Sequence, residues 1–156
     1  MSVYIDDHFP EVKTFGFNTA KTTSKFGDVM VPIYETIQLG QVGQAASTWA
    51  VSQPIFLNDS VSGTYQISGV SVNFGTASTS GTLQVEVATG IQAIAAGTNQ
   101  LTGTLSLSGT AYTTVNGTVI ASPTVISAGA RVNLIFAGTV TNLANAIVTI
   151  VLQRLS

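Results

Sequence analysis

Cysteine is absent from the 156 residues of this chain, which excludes a disulfide framework and any metal site built from thiolates. Charge is also scarce, because 8% of the residues are Asp, Glu, Lys or Arg, whereas a soluble domain carries about 25%. The formal net charge of −2 leaves no basic surface that would attract nucleic acid. The longest apolar run, residues 143–152, is too short for a membrane-spanning helix and contains Asn145 and Thr149. We therefore predict neither a nucleic-acid partner nor a membrane partner.

The first residues, MSVYIDDHFP, are acidic where a secretory signal peptide is basic and then apolar. The sequence therefore predicts a soluble protein that is synthesised in a cytoplasm. Two segments, Asn58-Asp59-Ser60 and Asn116-Gly117-Thr118, match the N-glycosylation pattern. Without a signal peptide, we interpret both of them as turns.

Side chains that could carry catalysis are few. His8 is the only histidine, and although it lies near Asp6 and Asp7, this group has no fourth ligand and no spacing typical of a metal site. Residues 37–156 have two carboxylates, Asp59 and Glu86, as a glycosidase requires, but no spare residues to tune them. Serines have no histidine base nearby and no Gly-x-Ser-x-Gly turn. We predict that the chain is not an enzyme and uses neither a cofactor nor a metal.

Charged and aromatic side chains are concentrated at the start of the chain. Residues 1–36 contain eight of the twelve charged residues and six of the twelve aromatic residues. Residues 37–156 contain the other four charges, which are Asp59, Glu86, Arg131 and Arg154. The sequence therefore predicts two parts, an aromatic and charged N-terminal arm over residues 1–36 and a nearly uncharged body over residues 37–156.

The body has the sequence pattern of β-strands. Apolar and polar residues alternate clearly over residues 83–87 and 132–136, and this period of two is typical of half-buried strands. Gly-Thr pairs recur at irregular intervals, which disfavours a β-helix. About eight strands with turn residues between them predict an all-β fold, a jelly-roll β-sandwich with an extended N-terminal arm.

Four features predict irregularities within these strands. The alternation changes parity at Gly69, which predicts a β-bulge, and Pro54 marks either an edge strand or a bulge. Asn116-Gly117 lies between β-branched residues and predicts a hairpin turn. Residues 146–155 are apolar on both parities, which predicts a strand covered on both faces.

The few charges of the body have two interpretations. Arg131 follows a turn that opens a strand, and Arg154 lies on the last strand. Each arginine either pairs with Asp59 or Glu86 at the rim of its own domain or forms an inter-subunit ion pair with such a carboxylate. A surface of Ser, Thr, Asn and Gln opposes association only weakly. We therefore expect the body to pack among copies of itself.

Two long segments resemble known trimeric jelly rolls. They are GTYQISGVSVNFGTASTSGTLQVEVATG, residues 63–90, and SAGARVNLIFAGTVTNLANAIVTIVLQRLS, residues 127–156. Gly63-Thr64-Tyr65 and the later Ala-Gly turn before Arg131 are similar to motifs of the tumour-necrosis-factor and complement-type head domains. They are more similar to the head decoration, or cement, proteins of tailed phages. Ala130 stands where those proteins usually have Asp, so the resemblance implies no local Asp–Arg pair here.

The resemblance implies a structural role on a virion. Homotrimers would decorate the outer surface of a phage capsid, where they would stabilise the shell by clamping adjacent major capsid subunits. The expected partners are therefore the chain itself and the major capsid protein. The arm would lie across the capsid, with four aromatic anchors. An equal alternative is that these aromatics belong to a first strand packed on its own domain; they are Phe9, Phe15, Phe17 and Phe26.

A trimeric receptor-binding module of a tail fibre or surface appendage is the alternative function. Such a module needs an exposed recognition site, for example an aromatic platform for a sugar. Trp49 and Tyr112 are the candidate platforms, and Trp49 is expected to lie in the core. The short chain and the lack of a long helical pattern disfavour a major capsid protein, and a tail-tube subunit would form hexameric rings instead.

Overall fold

The computed structural model describes residues 33–39, 45–59 and 63–155, with the backbone alone over 33–39. Within these residues the chain forms nine strands and one helical turn, and no helix there is long enough to cross a membrane. The predicted arm, residues 1–36, lies outside the described residues except for its last four, which belong to the first strand. The elements are β1 Ile33–Leu39, α1 Ala46–Trp49, β2 Gln53–Leu57, β3 Tyr65–Asn73, β4 Thr82–Ala88, β5 Thr98–Asn99, β6 Leu105–Ser106, β7 Val115–Gly117, β8 Arg131–Ala137 and β9 Ala146–Arg154.

The strands form two antiparallel sheets with nested pairing. One sheet has the order β1-β9-β3-β7, and the other has the order β2-β8-β4-β5, with β6 also paired to β4. The first strand therefore pairs with the last, and the second pairs with the last but one. With β5 and β6 counted as one interrupted strand, this is the eight-strand order of a jelly roll. The predicted all-β jelly-roll sandwich is confirmed.

The hydrophobic core lies between the two sheets and follows the predicted alternation. On β4, Leu83, Val85 and Val87 are buried, and on β8 the same holds for Val132 and Leu134. Because side chains alternate across a strand, one parity of each strand faces the opposite sheet. The large side chains that are almost completely buried include Ile67, Val72, Phe74, Leu83, Leu107, Ile126, Leu134, Leu143, Ile150 and Leu152.

Two predicted irregularities are present. The pairing of β3 with β9 shifts between Ile67 and Gly69, so Ser68 is an extra residue at this point. The bulge keeps Ile67 and Val70 on the buried face although their spacing is odd. Pro54 lies on the edge strand β2, and the pairing of β2 with β8 also shifts just after it.

The predicted hairpin at Asn116-Gly117 is wrong. Both residues lie within β7, where Asn116 pairs with Ser71 and Gly117 pairs with Val70 of β3. A Cβ atom at Gly117 would lie 2.9 Å from a methyl carbon of Leu101. The glycine therefore permits close packing of Leu101 against the strand instead of forming a turn.

The last strand, β9, is central in its sheet but is buried on one face only. Ala146, Val148, Ile150 and Leu152 are buried, whereas Ile147 on the opposite face is 40% exposed. The second face is not covered within the described chain, so the expectation of a strand covered on both faces stays a prediction about neighbouring copies. The apolar residues of the second parity contribute to an outer surface of the sandwich.

Candidate interaction surfaces

The aromatic residues that were assigned to capsid contact lie outside the described part of the chain. His8, Asp6 and Asp7 also lie outside the described residues. In residues 45–59 and 63–155, no three His, Cys, Asp or Glu side chains are grouped so that they could hold a metal ion. The aromatic residues concerned are Phe9, Phe15, Phe17 and Phe26.

Glu86 is a buried carboxylate on the outer face of the five-stranded sheet. Its side chain belongs to β4 and is 1% exposed. Oε1 accepts a hydrogen bond of 2.8 Å from the backbone N–H of Ala95, and Oε2 accepts one of 3.0 Å from that of Gly97. Burial to this extent removes Glu86 from the candidate inter-subunit ion pairs, because its carboxylate has no surface to offer a second chain. Its hydrogen bonds instead hold the segment that follows β4.

Asn133 and Arg131 complete this cluster from the neighbouring strand β8. Asn133 is opposite Glu86 in the strand register, and its Nδ2 donates a hydrogen bond of 2.8 Å to Glu86 Oε1. The guanidinium of Arg131 donates a hydrogen bond to the backbone carbonyl of Gln92. The described contacts of Arg131 and Glu86 thus converge on one loop, residues 89–97, from two strands.

Hydrogen bonds within the loop itself also fix its conformation. The Gln92 side chain accepts a hydrogen bond of 2.7 Å from the N–H of Thr89 and donates one of 3.2 Å to the carbonyl of Ala96. The N–H of Ala96 also donates to the carbonyl of Ala93 at 3.1 Å. The loop is exposed from residue 89 to residue 96, yet its backbone is held both by its own side chains and by the sheet beneath.

Two other buried polar side chains hold neighbouring segments. Gln100 is buried and exchanges two hydrogen bonds with Thr124, one of 2.9 Å from its Nε2 to the hydroxyl and one of 2.8 Å to its Oε1 from the N–H. The Nδ2 of Asn58 donates to the carbonyls of Gly63 at 3.0 Å and Ile126 at 2.9 Å. These contacts fasten the segments after β2 and before β8 to the body of the sandwich.

The other two charges of the body, Asp59 and Arg154, are exposed at the end of the sandwich where β2, β4 and β9 finish and β8 begins. Asp59 follows the end of β2, and Arg154 lies near the end of β9, where it pairs in the strand register with Tyr65. Leu57, the last residue of β2, pairs with Arg131, the first residue of β8. The four candidate ion-pair residues therefore lie towards one end, but Glu86 is buried there whereas Asp59 and Arg154 face solvent.

The outer face of the four-stranded sheet is the second candidate surface. On β9 it presents Ile147, Thr149 and Val151, of which Ile147 is 40% exposed and the other two are half-buried. On β3 its side chains are polar and uncharged, and Gln66 donates to Gln153 of β9 at 3.2 Å. The central strands of this face therefore combine apolar and amide or hydroxyl groups without charge, and depletion of charge is typical of the core of a protein interface.

The two aromatic residues considered as sugar platforms have different environments. Trp49 is 9% exposed and packs edge-to-face on Phe136, with ring centroids 6.5 Å apart, so its expected core position is confirmed. Tyr112 is 80% exposed and adopts a positive φ of 60°. Its backbone N–H donates to the carbonyl of Phe74 at 2.8 Å, which fixes its position at the end of the sandwich opposite to the 89–97 loop.

A groove of about 470 Å³ lies beside the start of α1. Its walls carry alanine, serine, threonine, asparagine and aliphatic side chains, and no titratable group. The lining has hydroxyl groups on Ser47 and Thr141 but no base that could activate them and no acidic or histidine metal ligand. The residues are Ala45, Ala46, Ser47, Val140, Thr141, Asn142, Leu143 and Ala144.

Sequence reasoning identified Glu86 and Arg131 but missed their uncharged partners. Asn133 alternates with the core residues Val132 and Leu134 on β8, so the strand pattern predicts that its side chain faces solvent. It is fully buried because the 89–97 loop folds over it, and this cover depends on a tertiary contact that strand periodicity does not contain. The sequence does contain one indication that this loop packs on the sheet. Residues 91–97 include three alanines and two isoleucines and no charged residue.

Comparison with known proteins assigns the chain to no family. No family model matches the chain, and no curated protein matches it. A solved structure described as "Bacillus endospore appendages form a novel family of disulfide-linked pili" is similar over 81% of this chain and 89% of that chain. Its sequence identity is 12% and its TM-score is 0.36, values at which the similarity carries no argument about function.

Proposed function

We propose that this chain is a structural virion protein that assembles as a homotrimer, decorates a phage capsid and stabilises it by clamping adjacent major capsid subunits. The sequence resemblance to cement proteins supports the proposal, as does the jelly-roll strand order. The arm over residues 1–36 would contact the capsid through its aromatic side chains. The protein would act on the outer surface of the virion after its synthesis in the host cytoplasm.

The outer face of the four-stranded sheet is the observation on which the trimer proposal depends. Ile147 is exposed on a central strand, where an isolated sandwich normally presents polar side chains to water. Its neighbours on this face, Thr149 and Val151, add further apolar atoms and no charge. A trimer that packs these faces around its axis would remove them from water, and each buried methylene contributes about 0.8 kcal/mol.

Light scattering of the purified full chain tests the trimer. We expect three times the chain mass of 16.1 kDa for the unmodified protein and a lower mass for Ile147→Lys, which places a charge at the interface. Val51→Lys is the matched control, because Val51 is similarly exposed at 48% and directly precedes β2, which belongs to the other sheet. A monomeric unmodified protein, or an Ile147→Lys variant with unchanged mass, contradicts assembly through this face.

Capsid decoration is tested with the arm removed. Shells of the phage that encodes the chain, purified without it, are incubated with the full chain or with a variant that lacks residues 1–30. We expect the full chain to bind and to raise the temperature at which the shells break, and the shortened trimer to do neither. Full occupancy by the shortened protein would contradict the role of the arm, and failure of both proteins to bind would contradict decoration.

One observation favours a trimeric receptor-binding module as the second candidate. Tyr112 presents most of its ring to solvent from a backbone position that Phe74 holds in place, and a fixed aromatic ring is a common surface for sugar binding. A glycan array checks this candidate. Binding that is lost in Tyr112→Ala but kept in Val51→Ala would favour it, whereas the decoration proposal predicts no glycan ligand.

A further inference from the structure

Asparagine is followed by glycine at one place in the chain, Asn116-Gly117. Asparagine is a chemically labile residue, and it is most labile before glycine. Because glycine has no side chain, its backbone nitrogen can approach the side-chain carbonyl of the preceding asparagine. Every other asparagine of the chain precedes a residue that has a side chain. Asn116 is therefore the asparagine whose side-chain amide is most easily lost on chemical grounds.

The packing of the core keeps this glycine in place. A Cβ atom at Gly117 would lie 2.9 Å and 3.1 Å from the two terminal methyl carbons of Leu101. Any larger residue at position 117 would therefore have to displace a side chain of the core. The contact with Leu101 thus excludes the substitutions that would shield Asn116 from the nitrogen of its neighbour.

The side chain of Asn116 is exposed on the outer face of the four-stranded sheet. Val115 packs against the core and Gly117 faces it, so Asn116, which lies between them on β7, points away from the core. Asn116 pairs with Ser71 of β3, and Ser71 pairs with Thr149 of β9. Asn116 and Thr149 therefore share one row of the outer face, at a distance of about 10 Å, or two strand spacings.

Strand pairing controls access to the reactive arrangement. β7 has three residues, lies at the edge of its sheet and pairs there with β3 alone among the described strands. While β7 is paired, its extended backbone keeps the Gly117 nitrogen away from the side-chain carbonyl carbon, Cγ, of Asn116. A short edge strand opens locally at a lower free energy than the central strands. The rate of reaction at Asn116 should therefore follow the opening of β7.

We propose that Asn116 deamidates when β7 opens, and that the carboxylate so formed weakens association through the outer face of the four-stranded sheet. The Gly117 nitrogen attacks Cγ of Asn116, the bond from Cγ to the side-chain nitrogen breaks, and ammonia leaves with the proton of the Gly117 N–H. The succinimide ring that remains adds water at one of its two carbonyls. One opening gives aspartate and the other gives isoaspartate, and each product adds one negative charge.

The surroundings of Asn116 offer nothing to balance this charge. In the described residues of β3, β7 and β9, the outward-facing side chains are all uncharged. A carboxylate that is removed from water without a partner is costly, so the product resists burial between two copies. Isoaspartate also lengthens the backbone, so the pairs of β7 with Val70 and Ser71 cannot both persist. The effect on association rests on the proposed trimer, whereas the loss of the amide does not.

Mass spectrometry of the full chain tests the reaction. The protein is kept in warm, mildly alkaline buffer and then digested with pepsin in acid, which halts the reaction. We expect amide loss at Asn116 ahead of every other described asparagine, with aspartate and isoaspartate both present, and faster loss in urea below the unfolding transition. Asn116→Gln is the control, because the longer side chain closes its ring slowly. If the folded chain keeps the amide of Asn116 and only the fully unfolded chain loses it, the inference is overturned.

Light scattering tests the effect on association. Asn116→Asp carries the charge of the product from the start, and we expect its mass to fall below that of the unmodified chain. Asn142→Asp makes the same exchange at an exposed position between β8 and β9 and should leave the mass unchanged.

The outcomes separate this inference from the proposed function. If Ile147→Lys lowers the mass and Asn116→Asp does not, the effect of deamidation on association is wrong and the trimer stands. If the unmodified chain is monomeric, the trimer is wrong and the effect on association is wrong with it. The loss of the amide at Asn116 is then still decided by mass spectrometry.

Discussion

The Glu86 carboxylate and the Asn133 side-chain amide are joined by a buried hydrogen bond of 2.8 Å between the adjacent strands β4 and β8. The same carboxylate accepts the backbone N–H groups of Ala95 and Gly97. One side chain thus connects the sheet to the loop that crosses its outer face. The stability of that loop and of the sheet should therefore respond together when Glu86 is changed.

Glu86→Gln tests this connection. The glutamine keeps the shape of the side chain but replaces one acceptor oxygen with an NH2 group, which must face another donor. We expect the free energy of unfolding to fall by about 1–3 kcal/mol, since a buried donor is left without an acceptor. Urea denaturation measures the change, and cleavage of the 89–97 loop by thermolysin should accelerate.

The control for Glu86→Gln is Asp59→Asn, which removes the other carboxylate of the body from an exposed position. Its effect should stay within about 0.5 kcal/mol. Equal losses in the two variants would show that total charge matters and that the hydrogen bonds of Glu86 do not.

Asn58→Asp should be strongly destabilising. The Nδ2 group of Asn58 donates to two carbonyls, and a carboxylate oxygen in its place would repel both. Because the site is buried, we expect a loss of about 3 kcal/mol or more at neutral pH. Asp59→Asn is the matched control, because it makes the reverse exchange at the next residue, whose side chain is exposed to solvent. A stable Asn58→Asp variant would contradict the described role of the amide.

Gly117→Ala tests the assignment of Asn116-Gly117 to a strand. The new methyl group would lie 2.9 Å from Leu101 Cδ2, and overpacking of this kind costs about 1–3 kcal/mol. Shortening the neighbour in Leu101→Val should recover part of the loss when it is combined with Gly117→Ala. Thermal or urea unfolding of the two single variants and the double variant measures this coupling.

Gly103→Ala is the matched control for Gly117→Ala. A Cβ atom there meets nothing within 4 Å, so stability should be unchanged or rise by up to about 1 kcal/mol, since alanine restricts the unfolded chain. If alanine were equally harmful at both positions, backbone conformation would explain the result better than the contact with Leu101.

Deletion of Ser68 should be tolerated although it lies within β3. Ser68 is the extra residue of the bulge, so its removal leaves a regular strand in which Ile67 and Val70 still face the core. Deletion of Ser71 from the regular part of β3 changes the parity of the residues before it. That change would cost about 2–5 kcal/mol for each large side chain displaced from the core. Circular dichroism and urea denaturation compare the folding and stability of the two deletion variants. An equal loss of stability in both would contradict the assignment of Ser68 to a bulge.

Much of the fold was predictable because strand periodicity reflects a local property of the backbone. The alternation at Leu83, Val85 and Val87 identified their buried face correctly, and the change of parity at Gly69 located the bulge to within one residue. Pro54 indicated an edge because proline has no backbone N–H group and cannot donate a hydrogen bond to a neighbouring strand. These signals need only the residues of a single strand.

The interaction surfaces were less predictable, since they depend on what covers each strand. Asn133 and Glu86 have the parity of outward-facing residues, and only the position of the 89–97 loop makes them buried. Asn116-Gly117 has the composition of a turn, but it lies in a strand. Glycine is needed at position 117 because Leu101 packs where a side chain would be. In both cases a residue distant in sequence determines the outcome.

The position of β9 has a consequence for biosynthesis. This strand lies between β1 and β3, and it pairs with each of them over most of its length. On a ribosome, the two neighbours emerge long before the strand that joins them, so the four-stranded sheet forms only after residues 146–154 have left the exit tunnel. We therefore expect nascent chains that stop before residue 146 to leave a gap between β1 and β3, and to be bound by chaperones or degraded before they can assemble.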